Sequence, residues 1–104
     1  MATLNVNTAR SDIGTNYTTI YTCPVNSNSV VQSIYFSNKS DVDLQFDLVI
    51  NVNDLDFFLS RQSTLPAQCT IIIDKPINML SRNSLKVKTV SGNIDVFASI
   101  TETR

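Results

Sequence analysis

The chain has 104 residues, 42% hydrophobic and 16% charged, with a formal net charge of −1. That length suits one domain and leaves no room for a second core, while the hydrophobic share excludes wholesale disorder. There is no His, no Trp and a single Glu, Glu102, and the eight Lys and Arg are scattered. A His-based nucleophile triad is therefore excluded, most zinc sites are disfavoured, and the basic stripe that phosphate neutralisation demands of a nucleic-acid binder is missing. Val, Ile and Thr number 31 against 9 for Ala, Glu and Lys. β-Branched side chains suit a pleated surface and the good helix formers are scarce, so the expected fold is all-β.

Residues 1–16 are polar, with Leu4, Val6 and Ile13 as their sizeable apolar anchors. They read as an N-terminal arm or edge strand ahead of a single β-sandwich domain over residues 17–104. A strand is expected from Tyr17 to Thr22, stopped by Cys23-Pro24, then a turn over residues 25–29. Val30 to Ser37 follows, with Val30, Ile34 and Phe36 on one face and Val31, Ser33, Tyr35 and Ser37 on the other. After a turn at Asn38–Asp41, Val42, Leu44, Phe46, Leu48, Ile50 and Val52 alternate with Asp43, Gln45, Asp47, Val49 and Asn51. Period two of that length means one buried face and one wet face.

Residues 53–56 read as a turn, and Phe57 to Leu65 as the next strand, cornered by Pro66-Ala67-Gln68. Cys69 to Asp74 carries the run Ile71-Ile72-Ile73, which suggests burial on both sides or an interface. A connection follows in which Ile77 and Leu80 plug one end of the core. Ser84–Val90 and Ile94–Thr101 read as a closing hairpin across Ser91-Gly92-Asn93, with Ile94, Val96, Ala98 and Ile100 inward. Seven or eight short strands at this spacing predict an antiparallel β-sandwich, jelly-roll-like or immunoglobulin-like.

Few residues gather into chemistry. Asn51–Asp56 places oxygen ligands at alternate positions, as Ca²⁺ requires, but lacks the Gly and Glu of an EF-hand loop and reads as a polar turn. Asp43 and Asp47 share a strand face, where paired carboxylates usually serve solubility. With only Gly14 and Gly92 there is no glycine-rich phosphate loop. The chain is expected to be no enzyme and to need no cofactor or metal. Cys23 and Cys69 lie too far apart for a CxxC motif; one disulfide between them is conceivable, but with no secretory signal pattern they are expected to be reduced and partly buried. No apolar run is long enough to span a membrane. Tyr17, Tyr21 and Tyr35 alternate against the inward faces, so exposed rings could bind sugar or anchor a protein interface.

Several short motifs belong together. Thr19-Ile20-Tyr21-Thr22-Cys23-Pro24 precedes Val30-Val31-Gln32-Ser33-Ile34-Tyr35-Phe36-Ser37-Asn38; the corner Leu65-Pro66-Ala67-Gln68-Cys69-Thr70 is followed by Ser84-Leu85-Lys86-Val87 and Val96-Phe97-Ala98-Ser99-Ile100-Thr101-Glu102. This set, over residues 19–102, resembles small tailed-bacteriophage virion proteins. The chain departs from that pattern at Gln68, where Gly is usual, and at Asn83, where Asp is usual. The resemblance implies a non-enzymatic structural component of a phage particle, a capsid decoration or cement protein, assembled in the host cytoplasm. Its implied partners are the major capsid or another virion protein and further copies of itself, with no nucleic acid and no membrane. A neck or tail accessory protein, or a carbohydrate-binding module of an adhesion apparatus, is the alternative. Leu4, Val6, Ile13, Tyr35, Phe57 and Phe58 are the expected partner contacts.

Overall fold

The computed structural model describes residues 2–104. Its strands are β1 (Thr3–Ile13), β2 (Thr18–Thr22), β3 (Asn28–Ser37), β4 (Leu44–Val52), β5 (Leu55–Leu65), β6 (Thr70–Ile73), β7 (Ile77–Met79), β8 (Ser84–Thr89) and β9 (Ile94–Thr103), and no helix forms among the described residues. The first sheet runs β1-β9-β3-β6, with β7 also paired to β3; the second runs β2-β8-β4-β5. Every pairing is antiparallel. The architecture is the antiparallel β-sandwich that composition and spacing predict. The two inner faces close on Val31, Ile34, Phe36 and the alternating residues of β9 from one side, and on Leu44, Phe46, Leu48, Leu85 and Val87 from the other. Phe36 stacks on Phe46 across the layers, with ring centroids 4.2 Å apart. Stacked aromatic packing of this kind adds to the stabilisation from buried area.

The strict alternation is realised in part. Leu44, Phe46 and Leu48 are buried and Ile50 and Val52 half-buried, but Val42 lies ahead of β4 and is exposed. The opposite face of β4 is drier than expected. Val49 is buried, and so is Asp47, whose Oδ1 accepts the Gln62 backbone N–H at 2.6 Å. Here β5 carries irregularities in its pairing with β4, and Gln62 has φ 49°. The bulge folds backbone over the carboxylate and supplies its donor.

A second bulge corrects the faces of β3. Val31 pairs with Ile100 and Ser33 with Ser99, so Gln32 is the extra residue. An extra residue inverts the alternation on one side of it. Val31 therefore joins Ile34 and Phe36 in the core, and Val30 turns outward, half-buried.

The closing hairpin does not form. β8 pairs with β2 and β4 in the second sheet, while β9 pairs with β1 and β3 in the first. Ser91-Gly92-Asn93 is a corner between sheets. Gly92 has φ 73°, and a Cβ there would sit 3.0 Å from the Leu44 side chain. The four inward residues of β9 are all buried, as expected. The turn after β4 is shorter than predicted: Asn53 and Asp54 both take positive φ, as a two-residue hairpin turn of the I′ kind requires, and β5 resumes at Leu55.

The connection after β6 forms the short strand β7. Met79 is buried there and Ile77 half-buried, but Leu80 points to solvent, so Met79 fills the place expected of Leu80. In the isoleucine run, Ile71 and Ile73 face the core and Ile72 is exposed, because the outer face of the first sheet is uncovered. Residues 3–13 form β1, laid along β9 in register from Thr3↔Thr103 to Arg10↔Val96. Ala2 and Arg104 exchange backbone hydrogen bonds of 3.0 and 2.9 Å at the end of that ladder.

Candidate interaction surfaces

Polar groups inside the sandwich hold structure together. Tyr21 turns inward and its hydroxyl donates to Glu102 Oε2 at 2.5 Å, within 2.7 Å of Ser29 Oγ. Arg104 donates to Glu102 Oε1 at 3.1 Å, and Cys23 Sγ lies 3.1 Å from Ser29 Oγ. Burial, then the bond to Glu102, raises the Tyr21 pKa above its ordinary value. Among the described residues no buried side-chain nitrogen or oxygen lacks a partner, so each group is matched as buried polar atoms must be. Cys23 is buried and Cys69 exposed; both thiols are free, so partial burial of the pair is corrected at Cys69, which sits at the corner before β6.

In the turn weighed for Ca²⁺, the Asp56 carboxylate is engaged within the chain. Asp56 Oδ1 accepts the Asn51 amide at 2.8 Å and lies 3.6 Å from Lys86 Nζ. No group of three metal-ligating side chains assembles among the described residues. Asp43 Oδ1 accepts the Ala67 N–H at 3.0 Å, so the two strand carboxylates brace separate backbones. Lys39 bridges Asp12 and Asp95, 3.2 Å from each, and both bonds raise its pKa.

The outer face of the second sheet is charged. Lys86 and Lys88 project beside Val49 and Asp47. Lys88 Nζ lies 3.9 Å from Asp47 and 5.0 Å from the centroid of the Tyr17 ring, and the Arg61 guanidinium lies 5.2 Å from that of Phe58. Partial burial, then Asp47 and Asp56, raises the Tyr17 pKa.

Two surfaces carry uncovered apolar side chains. The first is β5, the edge of the second sheet, where Leu55, Phe57, Phe58 and Leu59 are all exposed. Phe57 pairs with Ile50 and Phe58 with Val49, so the rings leave opposite faces of the strand, at 52% and 53% exposure. The second is the outer face of the first sheet, where Tyr35 meets Phe97 edge to face, centroids 6.0 Å apart. A shallow depression of about 320 Å³ lies there, lined in part by Ala9, Ser37 and Asp95.

Of the six expected contacts, Tyr35, Phe57, Phe58 and Leu4 are exposed, Val6 is half-buried on β1, and Ile13 lies inside the core. Two surface residues escaped the sequence reading: Phe97 and Ile72. Phe97 stands at the odd position between the inward Val96 and Ala98, and that alternation was sufficient to place it outside. Ile72 is brought to Tyr35 by the pairing of β3 with β6, which the local sequence does not reveal.

The described residues therefore define a β-sandwich with two apolar surface strips. No protein-family model matches the sequence, and no curated protein does. Among solved structures, the fold is similar to a chain from the structure of infectious bursal disease virus Gx strain, with TM-score 0.51 and 13% identity. The likeness covers 97% of this chain and 30% of the other, so this chain spans under a third of that length. At this identity the likeness is one of fold.

Proposed function

We propose that this protein is a non-enzymatic structural component of a virus particle, binding neighbouring virion subunits by surface complementarity. The uncovered strip on β5 carries the reading. Monomeric domains usually blunt an edge strand with charges, Pro or a covering segment; here Leu55, Phe57, Phe58 and Leu59 stay exposed along it although Asp56, Arg61 and the bulges interrupt the strand. The likeness of fold to a chain of a virus structure and the motif set over residues 19–102 support a place in the virion.

The finer reading is a capsid decoration or cement protein of a tailed phage, with a neck or tail accessory role as the alternative. A lattice repeats one patch many times, so modest contacts sum to firm attachment. A sugar platform built on the three tyrosines is disfavoured, because Tyr21 faces inward while Tyr17, ahead of β2, stands beside Lys88 of the second sheet and Tyr35 belongs to the first. Mass spectrometry of purified particles of the encoding virus is the test. The chain should be present at a fixed copy number, and Phe57→Lys with Phe58→Lys should weaken rebinding to particles that lack it. Absence from intact particles would end the proposal.

A further inference from the structure

The outer face of the first sheet has an unusual makeup. Ala9 pairs with Phe97, Phe97 with Tyr35, and Tyr35 with Ile72, so one row of outward side chains crosses four strands in register. Phe97, Tyr35 and Ile72 are 41%, 37% and 51% exposed. The rows on either side are hydroxylic: Ser99 pairs with Ser33 on one flank, and Ser37 with Thr70 on the other. Asp95 is the one charged residue in the outward register of β9 and β3, and Lys39 already neutralises it at the end of the face.

We propose that this face is a self-association surface, on which a second copy of the chain packs face to face. Three observations choose that occupant. An apolar centre inside a polar, charge-depleted surround is the anatomy of a protein interface. The charges at this face are few and of mixed sign, with Arg10 lining the depression and Asp95 held by Lys39, so the face meets its own copy without a block of like charge, as an isologous contact requires. The area is of the right order. Three strands of ten or eleven residues and the four-residue β6, at about 4.8 Å spacing and about 3.3 Å rise, give roughly 500 Å² in projection; side-chain relief raises the accessible area above this, towards the about 800 Å² per partner of a standard interface. A two-fold axis along the strands, midway between β9 and β3, would set Phe97 against the second copy's Tyr35. It would also set the small Ala9 against the second copy's Ile72.

The proposal stands apart from the virion reading and is tested with purified protein alone. Sedimentation velocity from micromolar to millimolar concentration should show a reversible dimer. Phe97→Asp, and independently Ile72→Asp, should raise its dissociation constant at least about tenfold, with circular dichroism unchanged. Phe58→Asp on β5 should leave the dimer intact. A wild-type monomer throughout, or a dimer lost on Phe58→Asp but kept by the other two, would overturn it. So would a monomer whose Tyr35 and Phe97 resonances move on titration with neutral oligosaccharides, since the face would then be a sugar site.

Discussion

At the scale of single residues, the Tyr21 hydroxyl ties together strands from both sheets. Tyr21 belongs to β2, Ser29 to β3 and Glu102 to β9. Tyr21→Phe removes a donor from a buried carboxylate and should cost about 1–3 kcal/mol, read from urea unfolding at neutral pH. The alkaline limb supplies a second signature. Burial and the bond to Glu102 raise the folded pKa of Tyr21, so above about pH 10 the unfolded chain releases the phenolic proton while the folded chain keeps it. Stability from this group is complete below pH 10 and falls as pH rises towards the folded pKa. The wild type should therefore lose stability more steeply above about pH 10 than Tyr21→Phe does. Parallel slopes would refute the assignment. Gly92→Ala forces a left-handed backbone on an L residue and crowds Leu44. It should cost about 1–2 kcal/mol, seen as a lower urea midpoint with an unchanged slope.

At the scale of elements, β3 shows what periodicity can and cannot disclose. The alternation of β9 and the first half of β4 is local, and both strands bury the residues it marks. In β3 the inserted Gln32 swaps Val30 for Val31, and no local residue type announces a bulge there. Deleting Gln32 should restore a regular ladder with Ser29, Val31, Ile34 and Phe36 still inward, changing stability by no more than about 1 kcal/mol. Deleting Tyr35 should instead force either Ile34 or Phe36 out of the core, a loss of several kcal/mol, on the order of a large-to-small core truncation. Thermal melts of the two deletions separate these outcomes. The turn at Gly92 was legible as a turn, but its destination was not. Whether a strand returns beside its neighbour or crosses to the other layer depends on partners distant in sequence, here β2 and β4 for β8. The contact strips were legible to the same degree: Phe57 and Phe58 were readable as adjacent aromatics on one strand, whereas the row through Tyr35 exists only once β1, β9, β3 and β6 are aligned.

At the scale of the whole molecule, the two ends of the chain share one ladder, because β1 pairs with β9. Pairing over such separation must overcome loop-closure entropy first, so refolding should take milliseconds to seconds, in the range of β-sandwiches. The same closeness makes the connection order dispensable. A permutant joining residue 104 to residue 2 through a short linker, and opened between Asn53 and Asp54, should keep the fold, since only an exposed hairpin turn is cut. Its amide spectrum should superpose on that of the parent away from the new ends. The bonds between Ala2 and Arg104 also set how the molecule answers a mechanical load. Tension applied through these two ends pulls β1 and β9 apart sideways and opens their rungs one after another, as a zip does. A sandwich firm against heat would still yield to a gentle tug from its own termini, whereas force arriving broadside is shared by many rungs together.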